Sequence, residues 1–219
     1  MPKYLSWAEK KLDESTPETI DREYNNGFVF TRIDKGIMQQ TRSLRIDLAG
    51  FKFSSENKRI LKKVENISVT CHPIPYMNYD YTIGKLAKDF YTQKFGEGTM
   101  SAQKIKELLT DKSKSNFNHV LVYSDTTTGM NIGYSIIYRD ENILHYSYPF
   151  YNLTNSPNNI GMGMMIKAIE YAISQNIKYI YLGSLQRPSD VYKLQFNNTE
   201  WFNSQNWSQD FTSVKDILK

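Results

Sequence analysis

Residues 143–183, ILHYSYPFYNLTNSPNNIGMGMMIKAIEYAISQNIKYIYLG, decide the fold. Ile143 to Tyr148 is an apolar and aromatic run that reads as a strand. A polar loop, Asn152 to Asn159, leads into Gly161-Met162-Gly163. Met164 to Ser174 follows, with Ile166, Ile169 and Ile173 at helical spacing and therefore predicted to face inward. Tyr179 to Leu182 is short and wholly apolar, the pattern of a strand buried on both faces, and Gly183 ends it. A helix joining two strands implies a crossover and hence a parallel pair. Two parallel strands that splay leave a slot for a substrate.

The flanking segments supply the rest of an α/β (α+β) chain. Val120 to Ser124 and Asn131 to Tyr138 read as strands that complete an antiparallel meander with Ile143 to Tyr148, turning at Thr126 to Gly129 and at Asp140-Glu141-Asn142. Tyr81 to Phe95 has helical spacing in Ile83, Leu86, Phe90 and Tyr91, and Ser101 caps a further helix through Leu109. Earlier, Thr16 caps a helix with Pro17 in its first turn, which stops at Asn25-Asn26-Gly27. Phe28 to Ile33, Arg42 to Leu48 and Ile67 to Cys71 read as strands, and Ser54-Ser55 starts a helix through about Glu65. His72-Pro73-Ile74-Pro75 reads as a boundary. The expected organisation is a basic α/β subdomain over 1–75 and a larger mixed-sheet domain with flanking helices over 76–219. Beyond Gly183, Asp190 to Phe196 is expected as a short helix, and the aromatic tail through Trp207 as a strand.

Composition narrows the function classes. The chain has 219 residues, 40% of them hydrophobic and 23% charged, which suits a folded core. No apolar run approaches the roughly 18 residues of a membrane span, so no membrane partner is expected. A single cysteine, Cys71, excludes an internal disulfide and any site built from several thiolates. With no signal-peptide core in Met-Pro-Lys-Tyr-Leu-Ser-Trp, a cytoplasmic location is the expectation. The formal charge is +4, and it is local. Residues 42 to 63 hold Arg42, Arg45, Lys52, Lys58, Arg59, Lys62 and Lys63 against Asp47 and Glu56. Lys58, Arg59, Lys62 and Lys63 share a helix face opposite Ile60, Leu61 and Val64. Such a face, with Arg42 and Arg45 upstream, can line a phosphate backbone; a plain solvated face is the alternative.

Other chemistry-bearing residues are few. No metal-ligand spacing and no Ser–His–Asp or Cys–His set is evident. His145 shares a strand face with Ser147 near the expected slot, and is the candidate general base. Asn158, Gly161 and Gly163 precede a helix, where glycines let backbone N–H groups approach a phosphate and the helix N-terminus favours negative charge.

The order meander, glycine turn, helix, central strand, helix, strand resembles the acyltransferase fold of the GCN5-related N-acetyltransferases. Asn158-Asn159-Ile160-Gly161-Met162-Gly163 resembles their pyrophosphate loop, with Asn for the usual Gln or Arg. Their leaving-group acid is often a tyrosine in the later helix, which points to Tyr192. A second resemblance is more extensive, over about 16–210. Arg42-Ser43-Leu44-Arg45-Ile46-Asp47, the capped basic helix, Gly27-Phe28, Gly98-Thr99-Met100-Ser101, Tyr179-Ile180-Tyr181-Leu182-Gly183, Tyr192-Lys193, Phe196, Glu200 and Trp207 are similar, in order, to motifs of the arginyl/leucyl-tRNA–protein transferases. That resemblance implies an enzyme that moves arginine or leucine from aminoacyl-tRNA to the N-terminal amine of an acceptor protein, in an N-degron role. It implies no cofactor beyond the charged tRNA, which the basic segment would hold. Tyr181, Gly183 and Lys193 would then contact substrate. The family's cysteine cluster is missing, its Arg-His pair is Lys94-Phe95 here, and its Tyr-Trp after the Leu-Gly is Ser184-Leu185. An acyl-CoA-dependent N-acyltransferase and a non-catalytic tRNA- or protein-binding relative stay open beside the transferase.

Overall fold

The computed structural model describes residues 5–154 and 159–218. Its core is an eight-stranded sheet in the order β11-β10-β4-β9-β8-β7-β6-β5. The strands are β4 (Ser43–Asp47), β5 (Ile67–Pro73), β6 (His119–Asp125), β7 (Asn131–Arg139), β8 (Ile143–Tyr151), β9 (Tyr179–Ser184), β10 (Thr199–Phe202) and β11 (Trp207–Ser208). A separate antiparallel sheet joins β1 (Ala8–Lys11), β2 (Phe28–Phe30) and β3 (Ile37–Gln40). The helices are α1 (Pro17–Asn25), α2 (Ser55–Lys63), α3 (Tyr81–Phe95), α4 (Ala102–Thr110), α5 (Ile160–Ser174) and α6 (Thr212–Ile217). No helix among the described residues is long and apolar enough to cross a membrane.

Local chemistry explains where the helices start. Thr16 Oγ1 accepts from the Thr19 N–H at 3.3 Å, and Ser101 Oγ from the Lys104 N–H at 3.0 Å. Ser54 and Asn57 form a reciprocal capping box, each side chain accepting the other's backbone N–H at 3.1 Å. Each such cap contributes roughly 1 kcal/mol.

The sheet is covered on both faces. On one, Leu44, Ile46, Leu144 and Ile180 pack under α2 and α5 together with Ile166 and Ile169. On the other, Tyr24 of α1 meets Tyr138 and Tyr181, and α3 and α4 add Phe90 and Ile105. Ile173, expected inside, is 40% exposed. The buried stripe of α5 runs through Met165, Ala168, Ile169 and Ala172, so the last turn carries Ile173 outward.

The expected boundary at residue 75 coincides with no break in the sheet. β4 lies between β10 and β9, and β5 pairs with β6 along its whole length. A cut there would remove a central strand from the larger unit, so the N-terminal part is built into the main sheet. The segment expected as a helix over 190–196 is a 3-10 turn, Pro188–Gln195.

Candidate active site

β8 and β9 are the parallel neighbours of the sheet. They pair through Ile143–Tyr179, Leu144–Ile180 and His145–Tyr181. Beyond these residues they part: β8 runs on to Tyr151 and β9 ends at Ser184. At the parting β8 is bulged, because Ser135 opposes Pro149 while Ile137 opposes Tyr146. Ser147 and Tyr148 therefore stand against Ile136 alone. A bulge redirects backbone groups that would otherwise join the ladder. Tyr148 has φ +31°, a costly conformation for an aromatic residue.

Opposite, Gly183 has φ +79°, which favours glycine. Among the described residues a side chain there would have only Lys193 Nζ within 4 Å, at 3.8 Å. Lys193 is buried; its Nζ donates to the Ser184 carbonyl at 2.9 Å and pairs with Asp190 Oδ1 at 3.0 Å. Burial lowers its pKa, with Asp190 opposing the shift. Asp190 Oδ2 also accepts from the N–H groups of Gln186 and Arg187, both at 2.9 Å. Lys193 and Asp190 thus anchor the chain that leaves β9.

Tyr192, in the same 3-10 turn, is 43% exposed. One turn on, Gln195 Nε2 reaches Met162 Sδ at 3.4 Å, so this segment lies across the first turn of α5. Tyr192 is near enough to the buried Tyr146 for a charge on one to raise the pKa of the other. Tyr146 and Tyr123 lie side by side under α5, and among the described residues neither hydroxyl finds a well-formed hydrogen bond. Burial raises both phenols strongly.

The glycine turn is corrected. Gly161 and Gly163 lie within the first turn of α5, not in a loop before it. A Cβ on Gly163 would come within 2.7 Å of Val64, and one on Gly161 within 2.9 Å of the Tyr151 hydroxyl. Both glycines let α5 pack closely against α2 and β8. Asn159 sits in a left-handed conformation at the helix start with no side-chain cap bond, which leaves first-turn N–H groups without that partner. Asn158 lies outside the described residues.

Two further expectations change. His145 is buried on the α1 face, with Nδ1 2.8 Å from the Tyr24 hydroxyl and Nε2 2.8 Å from Ser147 Oγ. Burial without a countercharge lowers its pKa to about 3, so it is neutral at pH 7 and too weak a base to keep a proton from an ammonium group. The general-base role is not met by this geometry. Tyr181 is fully buried, its hydroxyl 3.3 Å from Arg45 Nη1, and burial pushes its phenol up to about 12. It packs in the core and does not line the parting.

The basic segment divides. Arg45 is buried, with Nε 2.8 Å from Glu200 Oε2, Nη1 3.1 Å from Asn25 Oδ1, and its guanidinium 4.1 and 4.0 Å from the ring centres of Tyr179 and Trp207. No phosphate can reach it. Arg42 is half-buried just before β4, and its carbonyl accepts from the Leu185 N–H at the end of β9. Its Nε and Nη1 are buried and have no hydrogen-bond partner among the described residues. Lys58, Arg59, Lys62 and Lys63 are exposed on α2. Arg59 pairs with Glu56, and among the described residues the three lysines form no ion pair.

The chain matches no described protein family and no curated protein. Solved structures that it resembles include L-PGS from Bacillus licheniformis, at 14% identity over 77% of this chain and 52% of that one, with a TM-score of 0.49. Another is the C-terminal domain of a protein named as a lysylphosphatidylglycerol synthetase from Agrobacterium fabrum, at 9% identity over 81% and 55%, TM-score 0.49. A third is a GCN5-related N-acetyltransferase from Kribbella flavida, at 11% identity over 96% and 70%, TM-score 0.38. The chain spans about half the length of the first two. Its own topology carries the fold: a meander, a crossover helix and a parallel strand that parts from its neighbour form a mixed α/β sheet with flanking helices, in the element order on which the sequence resemblance rests.

Proposed function

We propose that the chain is an aminoacyl-tRNA-dependent acyltransferase that passes the aminoacyl group to the N-terminal amine of a protein or peptide. The observation that carries this reading is the uncovered lysine face of α2, whose opposite side packs through Val64 onto the first turn of α5, beside the parted strands. A nucleic acid lying on Lys58, Lys62 and Lys63 would have its end close to the parting. The resemblance to the arginyl/leucyl-tRNA–protein transferases makes arginine and leucine the first amino acids to test, and an acidic N-terminus the first acceptor.

The reaction asks little of the protein. The tRNA ester is already activated, and an α-amine with pKa near 8 is partly neutral at pH 7. Holding the two together supplies much of the acceleration. Tyr192, with an exposed phenol, would protonate the departing ribose oxygen, and the bulged backbone of β8 would offer N–H groups to the carbonyl oxygen.

Acyl-CoA as the donor is the second reading, favoured by a first turn of α5 whose N-cap residue, Asn159, gives it no side-chain cap bond. One assay separates the two. Purified protein is incubated with radiolabelled aminoacyl-tRNAs or labelled acetyl-CoA and with peptides of varied first residue. Label reaching peptide from tRNA alone supports the proposal; label from acetyl-CoA alone overturns it.

A further inference from the structure

Tyr24, His145 and Ser147 form a hydrogen-bonded row that ends at the strand parting. Tyr24 comes from α1 and is fully buried; His145 is the last residue of β8 paired with β9; Ser147 is the first residue of the bulge. The two links are both 2.8 Å long.

The direction of the row follows from its inner end. The Phe30 N–H approaches the Tyr24 oxygen at 3.5 Å and, being a donor, cannot take the phenol proton; among the described residues the oxygen has no other hydrogen-bond contact but His145. The phenol proton is then left for His145 Nδ1. A neutral imidazole that accepts at Nδ1 carries its proton on Nε2. That N–H donates to Ser147 Oγ. The serine proton, displaced from the histidine, has no acceptor among the described residues. The bulge also holds the serine backbone, since the Ser147 carbonyl accepts from Ser135 Oγ at 2.9 Å.

We infer that Ser147 donates its hydroxyl proton as a hydrogen bond to the acyl carbonyl oxygen of the substrate, with Tyr24 and His145 as positioning residues that fix its direction. This rests on the acyltransferase reading and adds to it a residue that touches the reacting carbonyl. A donor fixed in advance stabilises the oxyanion without reorganisation when charge develops. The buried histidine then works as a neutral donor, consistent with its lack of a countercharge.

Two measurements test this. The first is nitrogen-15 NMR of the wild-type protein, which reads the His145 tautomer whether or not a substrate is known. A proton on Nε2 is expected; a proton on Nδ1 overturns the inference. The second is steady-state kinetics on Ser147→Ala, Ser147→Thr and Tyr24→Phe. Ser147→Ala should lower kcat about 10- to 1,000-fold with KM within about threefold. Ser147→Thr keeps the hydroxyl and should recover most of the rate, whereas Tyr24→Phe should lose part of it at unchanged KM. Wild-type turnover retained by Ser147→Ala overturns the inference and leaves the transferase reading standing. A wild type inactive with every tRNA and acyl-CoA donor overturns both.

Discussion

The basic side chains of the α1 face and those of α2 have little in common beyond charge. Arg45 and His145 lie under α1, stacked and hydrogen-bonded, closed to any partner. Lys58, Lys62 and Lys63 stand in solvent on α2, 13 to 18 residues further along the chain from Arg45. The first pair holds the fold together, and the second set is available to an anion. Charge density along the sequence therefore says how many cations a segment has, not how many of them a ligand can find.

The comparison can be broken most directly at Arg45. Arg45→Ala leaves Glu200 without its partner and opens the stack between Tyr179 and Trp207. A loss of about 3–5 kcal/mol is expected in urea unfolding. An Arg45→Ala protein of wild-type stability would mean that this arginine is as dispensable as a surface charge.

His145 makes the next largest difference, through pH. Its folded pKa of about 3 lies below the ordinary 6.5, so the unfolded state binds the proton more tightly. Its contribution is fully present above pH 6.5 and is lost as pH falls from there toward 3. Roughly 2 kcal/mol should be gone by pH 5. Urea midpoints at pH 7 and pH 5 check this: the gap should narrow in His145→Asn. His119, lowered to about 4 by burial with help from Arg139 and Lys112, leaves a smaller dependence of the same sign.

Gly163→Ala tests the link between the two regions, because the added Cβ would collide with Val64 and push α2 from α5. Overpacking should cost about 1–3 kcal/mol, and tRNA affinity should fall while the lysines themselves are unchanged. A full-strength tRNA complex in a destabilised Gly163→Ala protein would separate the lysine face from the α5 contact.

The smallest change in stability is expected for Lys58→Glu/Lys62→Glu/Lys63→Glu, within about 0.5 kcal/mol per site. Its effect on binding should be the opposite. Each lost phosphate contact lowers the slope of log affinity against log salt by about one, so fluorescence titration with tRNA across a salt series should show a reduction near three. An unaltered slope would remove the face from the nucleic-acid interface.

Much of the fold was legible because its signals are local. The caps at Thr16, Ser54 and Ser101, the spacing across Tyr81 to Phe95 and the apolar run at Tyr179 to Leu182 each report on a few neighbouring residues. β1 and β3 were missed: Ala8–Lys11 and Ile37–Gln40 lack an alternating apolar pattern, and they are strands because they find each other. At the candidate site, Gly183, Tyr192 and Lys193 were named from the sequence, and the structure places them at or beside the parting. His145 and Tyr181 were named as well, and both are buried beneath α1; Ser147 was passed over although it shares a strand face with His145. The i, i+2 spacing was the available signal; that Tyr24 completes the row could not be seen, since it lies 121 residues away.

The sequence alone determined the crossover unit, the helix starts and the fact that basic charge is concentrated over residues 42 to 63, because periodicity, capping and net charge depend on short-range order. Which of those cations are solvated, why Gly161 and Gly163 are glycines, and that β4 belongs at the centre of the main sheet were decided by the tertiary structure. Burial and close packing are set by residues distant in the chain, and an arginine acquires its role only when the strand that carries it acquires its neighbours.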